Sequence, residues 1–160
     1  MINLPDNPSG MIRLAIFSLE KCESSPDYEI DWSAYLLPGA NGFPTCVDLA
    51  GAIMAQAIGK DVLCSKLNWD GRGDIAPFHL FYDIKGEIRF AVDGIDLKKV
   101  WLLLILDDFR TGNWIFGCKR IGVKCPRGLI GFDLPIYEFD AAAFKRGMLR
   151  AADIFEEAGL

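Results

Sequence analysis

The hydrophobic pattern of the chain centres on residues 45–59, which are apolar almost all round. Asp48 and Gln56 are the exceptions between Thr45 and Gly59. A helix without a polar face is buried in protein or in a membrane, and this stretch is shorter than the roughly 20 residues that a bilayer requires. We therefore predict a buried central helix over 45–59, capped by Thr45 and ended by Gly59, with close packing at Gly51.

Two further helices are predicted by end signals and periodicity together. The first opens at Asn7-Pro8 and stops by Ser24-Ser25-Pro26, and the last begins at the Asp140 cap and ends at Gly159. Apolar residues recur at helical spacing in both. They are Met11, Ile12, Ala15, Ile16, Leu19 and Cys22 in the first helix, and Ala141, Phe144, Met148, Ala151, Ala152 and Phe155 in the last.

The run Val100–Leu106 is apolar throughout, so periodicity alone fits a buried strand as well as a helix. We favour a helix over 97–110, because leucine dominates over β-branched residues. Gly112 follows as a stop, and Asn113 would cap a second short helix that ends at Gly122.

Alternating apolar and polar residues indicate a minor β element. The clearest case is 78–84 and 88–92, which flank Lys85-Gly86-Glu87 and suggest a β-hairpin. Residues 28–32 and 130–136 alternate over shorter lengths and suggest extended segments. The sequence thus predicts a mainly α fold (α+β with a minor β-hairpin), as a single compact domain over 1–160 around the buried central helix.

The amino-acid composition makes some classes of function less compatible with this chain than others. The net charge of −5 disfavours general binding to nucleic acids, which calls for a basic surface. The hydrophobic fraction of 51% is high for a soluble chain and is compatible with a subunit interface. Met1–Asp6 lacks the basic start of a signal peptide, and five irregularly spaced cysteines are typical of reduced thiols, so we expect a cytoplasmic protein with no membrane association.

Several short motifs occur in an order found in one group of proteins. They are Tyr28–Trp32, Val47–Ala55, Leu106–Gly112, Pro135–Asp140 and the terminal Phe144–Leu160 helix. The chain resembles small uncharacterised proteins encoded by phages and prophages that carry a Leu-Ala-Gly-Ala-x-Met-Ala helix. The resemblance implies a mostly helical fold and a phage-infected or lysogenic bacterial host, and it implies no reaction. Thr45 and Asp48 stand where members of the group often carry cysteines.

The residue patterns of common active sites are missing from the sequence. There is no C-x-x-C pair and no paired histidine for zinc, and His79 is the only histidine available to a Cys–His catalytic pair. The phosphate-loop and nucleophile-elbow motifs do not occur. We therefore predict no catalytic residue, no metal site and no cofactor, and we interpret the cysteines as structural thiols.

One cluster of basic residues has no acidic residue within it: Lys119, Arg120, Lys124 and Arg127. It could bind an anion or an acidic partner, although a solvated loop is the commoner role for such a cluster. The leading hypothesis is a non-enzymatic accessory or interaction protein that binds a protein partner or self-associates. The alternative is a small ligand-binding domain or enzyme with a pocket near Trp69, His79 and the Cys118–Arg127 loop.

Overall fold

The computed structural model describes residues 3–160 and is mainly α-helical. Its α-helices are α1 (Pro8–Glu23), α2 (Leu49–Ile53), α3 (Lys60–Lys66), α4 (Leu97–Arg110), α5 (Trp114–Arg120) and α6 (Ala141–Glu157). A π-helical segment, Met54–Ile58, continues α2, and two 3-10 segments span Pro77–Leu80 and Arg127–Leu129. The predicted mainly α fold with a minor β element is confirmed.

The β element is a three-stranded sheet near the N-terminal half of the chain. Its strands are β1 (Tyr28–Ile30), β2 (Leu36–Leu37) and β3 (Thr45–Val47), in the order β1-β3-β2. Strand β3 pairs in parallel with β1 and antiparallel with β2. The extended segment predicted at 28–32 is therefore confirmed over its first three residues.

The central helix starts later than predicted. Thr45 is the first residue of β3, where its amide donates to the Asp27 carbonyl at 2.8 Å and its side chain accepts from the Gly39 amide at 3.0 Å. Asp48 is the true N-cap, because its Oδ1 accepts from the Gly51 amide at 2.8 Å. The prediction of a Thr45 cap was wrong, since pairing with β1 and the hydrogen bond from the Gly39 amide hold Thr45 in the sheet.

Burial of the central segment is confirmed from Val47 to Ala55, whereas Gln56 and Ala57 are exposed. Helix α2 packs against α1, α4 and the strands β2 and β3. The π-helical segment ends where the Gly59 amide donates to the Met54 carbonyl, and Gly59 has a φ of +96° that favours glycine. The predicted end of the helix at Gly59 is therefore confirmed.

The outer helices follow their sequence signals closely. The side chains of Asn7 and Asp140 cap α1 and α6, which pack against each other, and the apolar faces predicted for both helices are buried apart from Ala141, which is half-buried. Residues 97–110 form helix α4, as favoured. Asn113 occupies the N-cap position of α5, but its side chain makes no capping hydrogen bond.

Two predicted β segments take other forms. Only one antiparallel bridge, Tyr82 with Ile88, forms in the predicted hairpin, and its first residues make the 3-10 segment that begins at Pro77. The Asp83 side chain accepts from the Lys85 and Glu87 amides and so stabilises the tight turn. Residues 130–136 contain no strand and follow the second 3-10 segment as a loop.

None of the helices described between residues 3 and 160 has the length and apolar composition needed to cross a membrane.

Close packing at Gly51 generates the first prediction. A Cβ atom built at Gly51 would lie 1.6 Å from the Tyr35 carbonyl oxygen, a backbone atom that accepts a hydrogen bond from the Asp48 amide. Gly51→Ala should therefore lower the free energy of unfolding by about 3 kcal/mol or more, at the upper end of overpacking effects. Chemical denaturation followed by circular dichroism measures this loss.

Gly147→Ala is the matched control, because Gly147 also lies within a helix. Its Cβ would meet the flexible end of the Leu134 side chain at 2.7 Å, and alanine gains about 1 kcal/mol in helix propensity. We expect a stability change within about 1 kcal/mol. Equal losses in the two variants would contradict a specific backbone contact at Gly51.

Candidate functional site

The predicted basic cluster lies on α5 and on the loop that follows it. Lys119 and Arg120 form the last turn of α5, Lys124 lies in the loop, and Arg127 starts the second 3-10 segment. Lys119, Lys124 and Arg127 are exposed, and none of the three forms an ion pair with residues 3–160. Their charges are therefore free to face a ligand.

Arg120 differs from the other three cations because it is fixed in place. Its guanidinium donates to Asp108 Oδ2 on α4 at 2.8 Å, and its Cζ atom lies 5.2 Å from the Trp101 ring centroid and 5.5 Å from that of Phe116. Cation–π contacts of this kind contribute about 0.5–1 kcal/mol at exposed sites. Arg120 thus joins one aromatic residue of α4 to one of α5.

These contacts define an exposed aromatic and cationic patch, which we call the α4–α5 surface: Trp101, Ile115, Phe116, Lys119 and Arg120. Ile115 and Phe116 are 60% and 50% exposed. On a helix, residues four apart are neighbours, so Ile115 adjoins Lys119 and Phe116 adjoins Arg120. The surface therefore alternates large apolar groups with positive charges.

The alternative pocket was predicted near Trp69, His79 and the Cys118–Arg127 loop. Trp69 Nε1 donates to the Gly73 carbonyl, and His79 Nδ1 accepts from the Ala76 amide, so each polar group is used within its own loop. Burial lowers the pKa of His79, while Asp74 and Asp83 act in the opposite direction. A cleft of about 500 Å³ is lined by residues 66–68, 70, 83–85 and 89–91, so neither Trp69 nor His79 lines it.

The five thiols are all free, and two of them are neighbours. Cys118 is buried on α5, and burial together with the nearby, half-buried Cys125 raises the pKa of its thiol. Within residues 3–160, no group of three or more histidine, cysteine or carboxylate side chains is arranged to hold a metal ion.

A small cleft lined by Tyr35 was not predicted from the sequence. The cleft has a volume of about 170 Å³, and carboxyl groups from three separate segments line it: Asp48, Asp74 and Asp107. Asp74 Oδ2 accepts from the Tyr35 amide at 2.8 Å, and the Tyr35 carbonyl accepts from the Asp48 amide at 3.1 Å. Tyr35 therefore links two of these acidic residues through its backbone.

Asp48 is the most perturbed of these acids. Burial raises its pKa from 3.8 to about 8, although the hydrogen bond from Gly51 acts in the opposite direction. Asp107 and Asp74 raise the pKa further, and Arg110 lowers it. Burial also raises the pKa of Tyr35, with added contributions from Asp48 and Asp107. The cleft can exchange a proton near neutral pH, but no cysteine, serine hydroxyl–histidine pair or lysine adjoins Asp48 among its lining residues.

The raised pKa of Asp48 generates a pH prediction. Because the folded protein binds this proton more tightly than the unfolded chain, the contribution of Asp48 to stability is greatest at low pH. It should fall by a few kcal/mol as the pH rises from about 4 to about 8. Asp48→Asn should remove this decline, so the stability difference between wild type and variant should change over that range. Urea denaturation at several pH values measures it.

Asp140→Asn is the control, since Asp140 caps α6 in the same way at an exposed position. It should keep the wild-type pH profile, because Asp48 is still present. If the stability of Asp48→Asn depended on pH as that of the wild type does, the result would contradict a protonated Asp48 carboxyl group in the folded protein.

No protein-family model matches the chain, and neither the curated proteins nor the solved structures contain a significant match.

Proposed function

We propose that the protein is a non-enzymatic interaction protein that binds an acidic partner protein through the α4–α5 surface. One observation carries this proposal: Asp108 holds the Arg120 guanidinium over two exposed aromatic rings, beside cations that no acidic residue of the described chain neutralises. The phage or prophage origin that we also propose is supported by the order of the sequence motifs.

The residue types on this surface are those that contribute most to binding between proteins. Tryptophan and arginine are enriched among the residues that dominate interface energies, and aromatic residues are enriched at the centres of interfaces. Because the ion pair with Asp108 already fixes Arg120, binding costs less side-chain entropy there than at a free arginine. The Arg120 side chain is thus preorganised for binding.

The positive charges on and near the α4–α5 surface favour an acidic partner. Lys119 on the surface, and Lys124 and Arg127 beyond it, create a local positive potential on a chain whose net charge is −5. Two copies that met face to face through this surface would bring like charges together. A protein segment that carries carboxylates between apolar side chains would instead satisfy both the cations and the rings.

Short synthetic peptides of glutamate, aspartate, leucine and phenylalanine provide the test. They should shift amide resonances of α4 and α5 in the isotope-labelled full chain, and the affinity should fall as the salt concentration rises. Phe116→Ala should weaken binding about tenfold, the loss expected for a central aromatic contact. Lys119→Glu should weaken it by a similar factor because it reverses a charge that faces the peptide.

Two variants serve as matched controls. Phe43→Ala removes an aromatic side chain that is 77% exposed before β3, and Lys66→Glu reverses an exposed charge at the end of α3. Both should bind the peptides as the wild type does. Equal binding of peptides in which lysine replaces the acidic residues would overturn the proposal. So would a dimer, detected by light scattering, that Phe116→Ala dissociates, since a second copy would then occupy the surface.

A further inference from the structure

The chain reverses direction directly after α5, and this reversal brings Val123, two residues before Cys125, back to Cys118. The amides of Ile121 and Val123 both donate to the Cys118 carbonyl, at 3.2 and 3.0 Å. Gly122, between them, has a φ of +70°, a conformation that favours glycine. The loop therefore folds back onto the last turn of the helix.

The two thiols differ in their access to solvent. Cys118 is 1% exposed and belongs to the hydrophobic core, whereas Cys125 is half-buried and packs against that core. The two thiols lie close enough to influence each other electrostatically, and Cys125 Sγ donates to the Pro126 carbonyl oxygen at 3.6 Å. The other cysteines lie on different elements, Cys22 on α1, Cys46 on β3 and Cys64 on α3.

We propose that Cys118 and Cys125 form a reversible disulfide when the protein meets a small-molecule disulfide such as glutathione disulfide. In the first step the Cys125 thiolate attacks one glutathione sulfur, forms a mixed disulfide and releases one glutathione thiolate. Cys118 then attacks the Cys125 sulfur, and its proton passes to the second glutathione as that leaves. The two protein thiols lose two electrons in total, and glutathione disulfide gains them as two glutathione molecules.

The surroundings set the order of these steps. Burial and the neighbouring Cys125 raise the pKa of Cys118 to about 12, so Cys118 stays protonated until a partner sulfur is already beside it. Cys125 is the thiol that a molecule from solvent can reach, because Cys118 lies beneath the helix surface. The half-buried thiol therefore reacts first, and the buried one resolves the mixed disulfide.

The disulfide would close a ring around the basic part of the chain. Lys119, Arg120 and Lys124 all lie between the two cysteines. The crosslink would restrict the loop that carries Lys124 and stabilise the turn at Gly122. Formation of the bond itself does not depend on the function proposed for the α4–α5 surface.

Tryptic peptide mapping without reduction tests the inference on the full chain. Cleavage at the lysines and arginines between the cysteines separates Thr111–Lys119 from Cys125–Arg127, so a disulfide appears as these two peptides linked. After incubation with glutathione disulfide, the count of free thiols in the denatured protein should fall from five to three. Dithiothreitol should restore all five.

Single variants separate the two steps. Cys118→Ala should stop at a glutathione adduct on Cys125, and Cys125→Ala should yield no linked peptide. Cys46→Ala is the control, because Cys46 is a half-buried thiol on β3, and it should still give the linked peptide. A wild-type protein that keeps five free thiols, or that stops at a stable adduct on Cys125, would overturn the inference.

Discussion

The fold depends on the contact between the Tyr35 carbonyl and the first turn of α2. This carbonyl accepts a hydrogen bond from the Asp48 amide and lies where a side chain at position 51 would be. Only glycine allows a strand and a helix to approach so closely. Helix α2 thus contacts the sheet, α1 and α4 at once, and the hydrophobic core forms around α2.

The same contact explains why an acidic residue is buried near the centre of the molecule. Asp48 must cap α2, because its Oδ1 satisfies the Gly51 amide, and the cap lies under Tyr35 where water is largely excluded. A carboxyl group in such surroundings holds its proton more tightly than it would in water. The geometry of the helix start therefore determines the electrostatics of the cleft, and no separate functional demand is needed to explain it.

Local signals predicted the elements whose ends are set by their own residues. The side chains of Asn7 and Asp140 cap helices by accepting from backbone amides three residues further along the chain. The leucine-rich run of α4 proved helical. Thr45 was misassigned because its partners, Asp27 and Gly39, precede it in separate segments of the chain and meet it only in the folded sheet. The carboxyl cleft was missed for the same reason, since Asp48, Asp74 and Asp107 converge only through the tertiary fold. The basic residues of α5 could be identified from the sequence. The contacts of Arg120 with the Trp101 and Phe116 rings could not, because they depend on how α4 and α5 pack.

The packing of α1 against α6 has a consequence for synthesis on the ribosome. Arg13 and its α6 partner Asp153 are 140 positions apart, and a ribosome that adds about 5–20 residues per second needs about 7–28 s to reach the second from the first. During that interval the apolar side of α1 that α6 will cover remains open to other hydrophobic molecules. Nascent chains of this protein should therefore require chaperone protection longer than chains whose first helix pairs with its neighbour.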